Sequence, residues 1–161
     1  MIVIGIDPGS RFTGYGLVNK RGQELEHVAS GRINASRAKT FIERLEIIYG
    51  GLSSVLNEYA VDEAAVESVF VARNAMSTIK LGQARGVALL ALSHANLELN
   101  EYAPTLVKQA VTGRGRASKD TVGQMVRVQL GLRGELAEDA ADALAVAICH
   151  CQAFDFQRRL Q

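Results

Sequence analysis

The chain has 161 residues, with 18 Lys plus Arg against 17 Asp plus Glu, so its formal net charge is +1. That near balance argues against a nucleic-acid or membrane-surface partner, because such binding normally draws on an excess of positive charge. The length suits one domain with a real core, and 48% hydrophobic and 22% charged residues with only two prolines exclude disorder and Pro-rich or collagen-like repeats.

Taken in order, the run Ile2-Val3-Ile4-Gly5-Ile6 is almost continuously apolar, as expected of a central strand buried on both faces, and Asp7 falls at its end. Residues 13–19 and 25–33 read as two further strands joined by a Lys20-Arg21-Gly22-Gln23 hairpin turn. Phe41, Leu45, Ile48, Leu52, Val55 and Tyr59 recur at spacings of four, three, four, three and four, which is one face of a sheet-covering helix. Gly50-Gly51 interrupt it at a cost of about 1 kcal/mol each relative to Ala, so a kink or close packing is expected there. Residues 61–66 form a short buried strand that delivers Glu67 at its end.

Asn74 caps a helix running to about residue 95, a strand follows over 97–102, and Pro104 opens another helix. Residues 113–117 are a glycine and arginine loop. Ser118 caps a helix ending near Gly131, and a last helix covers 138–153. The order βββαβαβααα implies a mixed sheet sandwiched between helices.

The apolar stretch 86–92 is far shorter than the roughly 20 residues of a membrane span. The N-terminus MIVIGIDPGS carries no basic leader and reaches a charged Asp7, so the expected location is the cytoplasm, with no membrane partner. Cys149 and Cys151 flank His150 and are expected to be free thiols. Adjacent helical residues point in different directions, and no second cluster exists to complete a zinc site.

In DAADALAVAI, Asp139 and Asp142 stand three apart and share a helical face, where like charges raise each other's pKa unless a cation lies between them. Two solvent-facing acids at a helix N-terminus are the plainer explanation of that pair alone. Asp7 and Glu67 add two acids at strand ends. An oxygen-only set of this kind suits Mg²⁺ or Mn²⁺, and two such ions clamp the attacking and leaving oxygens of a phosphodiester. Periodicity does not bring the four together.

The motifs GIDPGSRFTGYG (5–16), ESVFVARN (67–74), KLGQARG (80–86), GRGRASK (113–119) and DAADALA (139–145) resemble, in order and over nearly the whole chain, the RuvC family of Holliday-junction resolvases. The resemblance implies a single RNase H-like nuclease domain over 1–161, an α/β fold with a mixed five-stranded sheet flanked by helices. It places the family's acidic tetrad on Asp7, Glu67, Asp139 and Asp142. It further implies two Mg²⁺ per subunit, with Mn²⁺ as a substitute, and in-line attack of activated water that leaves 5′-phosphate and 3′-hydroxyl ends. The implied activity is paired nicking of a four-way DNA junction in recombination and repair, by a homodimer working alongside a branch-migration helicase complex.

The global charge hides a local one. Over residues 104–119 the charged side chains are Lys108, Arg114, Arg116 and Lys119, a local charge of +4, with glycines that allow close approach to phosphate. By the resemblance, Lys108 and Lys119 act at the scissile strand, Lys119 as part of the catalytic set, and Arg114 and Arg116 contact DNA. Phe70, a core residue on ordinary grounds, becomes a wedge against unpaired bases near the branch point. Arg73, Lys80 and Arg85 are candidate phosphate contacts. Gly82 and Gly86 allow close helix approach, either to the sheet or across a two-fold dimer interface that would suit a two-fold junction.

Two rival functions come from other classes. GIDPGSRFTGYG also resembles the first phosphate loop of actin-like and sugar-kinase ATPases, but those need two such domains and this chain offers one. A non-catalytic junction-binding protein would be expected to have lost an acid, and all four are present. GxSxG and HExxH motifs are missing, which removes serine-hydrolase and zinc-protease readings.

Overall fold

The structure, a computed structural model, describes residues 1–68 and 74–159, without the side chains of 155–159. Its elements run β1 (Ile2–Asp7), β2 (Phe12–Arg21), β3 (Glu24–Asn34), α1 (Phe41–Glu58), β4 (Glu63–Glu67), α2 (Ala75–His94), β5 (Leu99–Tyr102), α3 (Pro104–Thr112), α4 (Lys119–Gln129) and α5 (Glu138–Arg159). The sheet order is β3-β2-β1-β4-β5. The first three strands are an antiparallel meander, and β4 and β5 continue parallel to β1. This is the mixed, helix-flanked RNase H-like sheet expected from the sequence.

Local chemistry explains the boundaries. Gly22, with φ +60°, opens the two-residue turn between β2 and β3, the backbone hand that tight hairpins favour. Thr40 and Glu43 form a reciprocal capping box at the start of α1, a signal the apolar spacing does not carry. The side chains of Asn74 and Ser118 cap α2 and α4 by accepting from the backbone N–H groups of Ser77 and Thr121. β4 and β5 each begin two residues later than the apolar pattern suggests, and α5 extends beyond residue 153 to Arg159.

Each face of the sheet has its own core. Ile4, Ile6, Leu17, Ala64 and Val66 pack against Ile48, Leu52 and Val55 of α1 and Ala84, Ala88 and Leu92 of α2. The opposite face sets Val3, Val18 and Ala65 against Val107 and Val111 of α3, Val122 and Val126 of α4, and Leu144 and Ile148 of α5. There α5 lies almost on the strands. A Cβ added at Gly5 would stand 2.0 Å from the carbonyl oxygen of Ala143, and one at Gly14 would stand 1.9 Å from that of Asp139. Glycine at these strand positions is what allows the approach. Among the described residues, no helix is long and apolar enough to cross a membrane.

Candidate active site

Strand alternation turns Asp7 and Glu67 toward α5. Residues 3, 5 and 7 of β1 share one face, and so do 63, 65 and 67 of β4, with Val3 and Ala65 in the α5-side core. Ile6 pairs with Val66, so the residues that follow them, Asp7 and Glu67, stand at neighbouring strand ends. Gly14 is the cross-strand partner of Asp7, and it lies beneath the carbonyl of Asp139. The first turn of α5 is thereby seated beside Asp7, with Asp142 one turn further on.

Asp7, Glu67 and Asp142 line a cleft of about 240 Å³ with Lys108, Lys119 and the apolar side chains of Pro104, Val107, Val122 and Ala145. Burial and then the charges of Asp142, Glu67 and Asp139 push the Asp7 carboxyl up to about 7, against the opposing pull of Lys119. Glu67 is raised by its burial and by Asp142, while Lys119 and Lys108 lower it. The charges of the other three acids therefore all reach Asp7, and that of Asp142 reaches Glu67 as well. Three share the cleft, and Asp139 flanks it.

Cations already answer two of the acids. Lys119 Nζ donates to Asp142 Oδ2 at 3.1 Å and to Glu138 Oε1 at 3.0 Å. Arg32 of β3 stands 3.8 Å from Asp139, with its guanidinium 4.6 Å from the centre of the Phe12 ring. Among the described residues, no three His, Cys, Asp or Glu side chains are gathered into a ligand shell as they stand. The donor set nevertheless fits a hard divalent ion. It consists of carboxylate oxygens. Burial, and after it the charge of the other acids, raises Asp7 to about 7, and a cation among them would offset both.

The other expected contacts separate into groups. Lys108 lines the cleft. Arg114 and Arg116 are exposed and share a hollow of about 510 Å³ with Thr112, Ala117, Thr121 and Met125. Lys80 is exposed on α2 with its ammonium 5.9 Å from the Phe41 ring. Arg85 is engaged by Glu101 at 2.6 Å and is only 18% exposed. Phe70 and Arg73 lie outside the described residues. Cys149, His150 and Cys151 are all buried, and His150 Nδ1 meets the Tyr102 hydroxyl at 2.7 Å. Burial and Cys151 push the Cys149 thiol up to about 12, which keeps it protonated and inert.

A family profile for "Crossover junction endodeoxyribonuclease RuvC" matches residues 3–150. The chain belongs to the RuvC family. The RuvC of Trichlorobacter lovleyi is 52% identical over 161 residues, covering 100% of this chain and 89% of that protein. The RuvC of Syntrophotalea carbinolica is 54% identical over 154 residues, with 96% of each chain covered. Among solved structures, "T. thermophilus RuvC in complex with Holliday junction substrate" superposes with a TM-score of 0.91 at 33% identity, covering 98% of this chain and 96% of that one.

Within this RuvC-family site, sequence reasoning missed two charged neighbours, Arg32 and Glu138. Neither belongs to a quoted motif. Arg32 is legible only once its strand partner Gly14 is known to lie under Asp139. Glu138 had a local signal, since it stands four residues before Asp142 on the same helical face.

Proposed function

We propose that this chain, a structure-selective endonuclease that resolves Holliday junctions by metal-dependent nicking, works through Asp7, Glu67, Asp139 and Asp142 as ligands for two Mg²⁺ per subunit, with Mn²⁺ as a substitute. The observation that carries the assignment is the Asp7 carboxyl, held near 7 by burial and by the other three acids. When bound, such ions supply an activated water and stabilise the charge that builds on the phosphodiester.

The protein's own groups prepare that step. Val107, Val122 and Ala145 line the cleft with apolar surface, which lowers the local dielectric and strengthens each charge interaction there. Lys119 holds Asp142 by its Oδ2 and stays protonated. Its pKa is raised most by the hydrogen bond to Glu138, lowered by partial burial, and raised again by Asp142. Lys108 faces Glu67 across the cleft and is placed to meet the scissile strand. Exposed Arg114 and Arg116 extend this positive surface toward the DNA backbone, and exposed Lys80 adds to it from α2. Arg85 joins the DNA surface only by leaving Glu101. Phe70 as wedge and Arg73 as phosphate contact rest on the resemblance.

A homodimer supplies two such sites for a two-fold junction. Its support is on α2. Met76, Ile79 and Leu90 are 58%, 54% and 48% exposed, and Gln83 and Gly86 continue the same helical stripe. A Cβ at Gly82 or Gly86 would meet no atom of the described residues within 4 Å, which leaves these glycines open to a second helix rather than packed on the sheet. The protein works as one nuclease domain over 1–161, in the cytoplasm and alongside a branch-migration helicase complex.

The test is cleavage of a synthetic four-way junction in Mg²⁺ by the wild type, Glu67→Gln and Asp142→Asn. Both variants should bind the junction and fail to cut. Cutting at the wild-type rate by both removes the carboxylate assignment.

A further inference from the structure

Lys119 is held by two carboxylates that differ in kind. It is the first residue of α4, so the Ser118 cap fixes its backbone, and its side chain reaches across to α5. Glu138 and Asp142 stand four apart on α5, which lets one ammonium bridge them at 3.0 and 3.1 Å. Asp142 is 26% exposed and lines the acid cleft, whereas Glu138 is 71% exposed and stays outside it.

Asp142 could not serve a divalent ion held with Asp7 and Glu67 and keep its full contact with Lys119. The ammonium then needs another partner, or its release leaves a charge unpaired beside the cleft. Glu138 offers that partner without moving the α4 backbone. We propose that Glu138 is a positioning residue that acts through Lys119. It keeps the ammonium at the cleft edge while Asp142 turns to the metal, and so eases metal entry without losing the lysine from the site. This rests on the assignment of the acids as metal ligands.

Removing Glu138 leaves Asp142 as the carboxylate to which Lys119 is bridged, so an ion must break a more exclusive pair. Loss of one nearby negative charge acts in the same direction. A double-mutant cycle separates the two effects. Binding of Mn²⁺ to DNA-free protein is measured by electron paramagnetic resonance for wild type, Glu138→Gln, Lys119→Gln and the double variant. Thermal melts accompany the titrations to show that all four proteins are folded.

Glu138→Gln should weaken Mn²⁺ binding roughly two- to fivefold, the scale of an exposed ion pair. Lys119→Gln should tighten binding by removing the competitor, and in that background Glu138→Gln should weaken it clearly less than in the wild type, by the direct charge effect alone. Equal weakening in both backgrounds means that Glu138 acts only through its own charge, which overturns the proposal. Unchanged Mn²⁺ binding by Glu138→Gln also overturns it. A wild type that binds no Mn²⁺ while cutting junctions only with added metal locates the failure elsewhere: the acids then do not bind metal before DNA arrives, and the exchange at Lys119 is overturned with that order of events.

Discussion

The two faces of the sheet are packed by opposite means. Toward α1 and α2, the strands present Ile4, Ile6 and Leu17, and the helices answer with Ile48, Leu52 and Leu92. Toward α5, the strands present Gly5, Gly14 and Gly16, and the helix answers with Ala143 and Ala147 over Gly5, the backbone of Asp139 over Gly14 and Leu144 over Gly16. The first face gains its stability from large side chains removed from water. The second gives up that volume so that a helix backbone can rest on strand backbone. Closeness brings Asp139 and Asp142 to the strand ends that carry Asp7 and Glu67. The face that holds the chemistry should therefore be intolerant of added atoms, and the other face intolerant of lost ones.

Gly5→Ala puts the closely packed face under the greatest stress. The new methyl would stand 2.0 Å from the Ala143 carbonyl oxygen and 2.6 Å from the Ala147 nitrogen, both backbone atoms that cannot swing aside. The helix must shift, at about 1–3 kcal/mol or more of stability. A displacement near 1 Å at the acids should cost about 10²-fold in junction cleavage, even in the fraction that remains folded. Leu52→Ala on the opposite face should destabilise by about 2–5 kcal/mol through the cavity it leaves, while cleavage per folded molecule stays near wild type. Urea melts and cleavage assays on the two variants decide the matter. Equal loss of activity per folded molecule would show that the two faces are not divided as argued.

Much of this division was legible in the sequence. The apolar run before Asp7 marks a central strand, the three-four spacing marks α1, and Asn74 and Ser118 mark two helix starts. The glycines of β1 and β2 were readable too, since glycine inside a strand signals a bulge or a close approach. What they approach was not readable, because it depends on where a helix from the far end of the chain comes to rest. The same dependence hid the Arg32–Asp139 and Lys119–Glu138 pairs, each of which joins separate elements. The convergence of the four acids was legible only through family resemblance, because nothing in their spacing connects two strand ends with a helix start. Arg85 shows the same limit from the other side: its pairing with Glu101 of β5, sixteen residues away, is not visible in the sequence.

A smaller effect distinguishes the first turn of α5 from its middle. The first turn is charged, whereas His150, just past the helix midpoint, is buried between Tyr102 and Glu63, with Glu63 Oε2 3.8 Å from its Nε2. Burial lowers the His150 pKa below the ordinary imidazole value of 6.5, and Glu63 opposes that shift without reversing it. The unfolded chain therefore takes up the proton first as pH falls. The stability contributed by keeping this ring neutral is present above about pH 6.5 and is lost as pH falls through the lower folded-state value. Thermal melts from about pH 8 down to about pH 5 should show a larger loss for wild type than for His150→Gln. Parallel curves would mean that the ring is not held neutral.

The smallest effect lies in the Gly50-Gly51 pair of α1, where contact and open space occur at adjacent positions. A Cβ at Gly51 would stand 2.9 Å from three atoms of the Ile33 side chain, whereas one at Gly50 would meet no atom of the described residues within 4 Å. The pair is therefore half a packing device. Gly51 lets α1 close on β3, but Gly50 leaves the helix with backbone freedom and no contact in return. Gly50→Ala should stabilise by about 0.5–1 kcal/mol, because alanine loses less conformational freedom in a helix. In a chain of this size that is a rise of roughly 1–4 °C in Tm. Gly51→Ala should gain the same propensity but lose it against Ile33, ending below Gly50→Ala in a matched pair of melts. Junction cleavage should stay unchanged in both, because α1 covers the face of the sheet away from the acids. A Gly50→Ala variant that melts lower than wild type would mean that the outer surface of α1 is itself covered in the working protein, and the contrast between the faces would then have to include that surface.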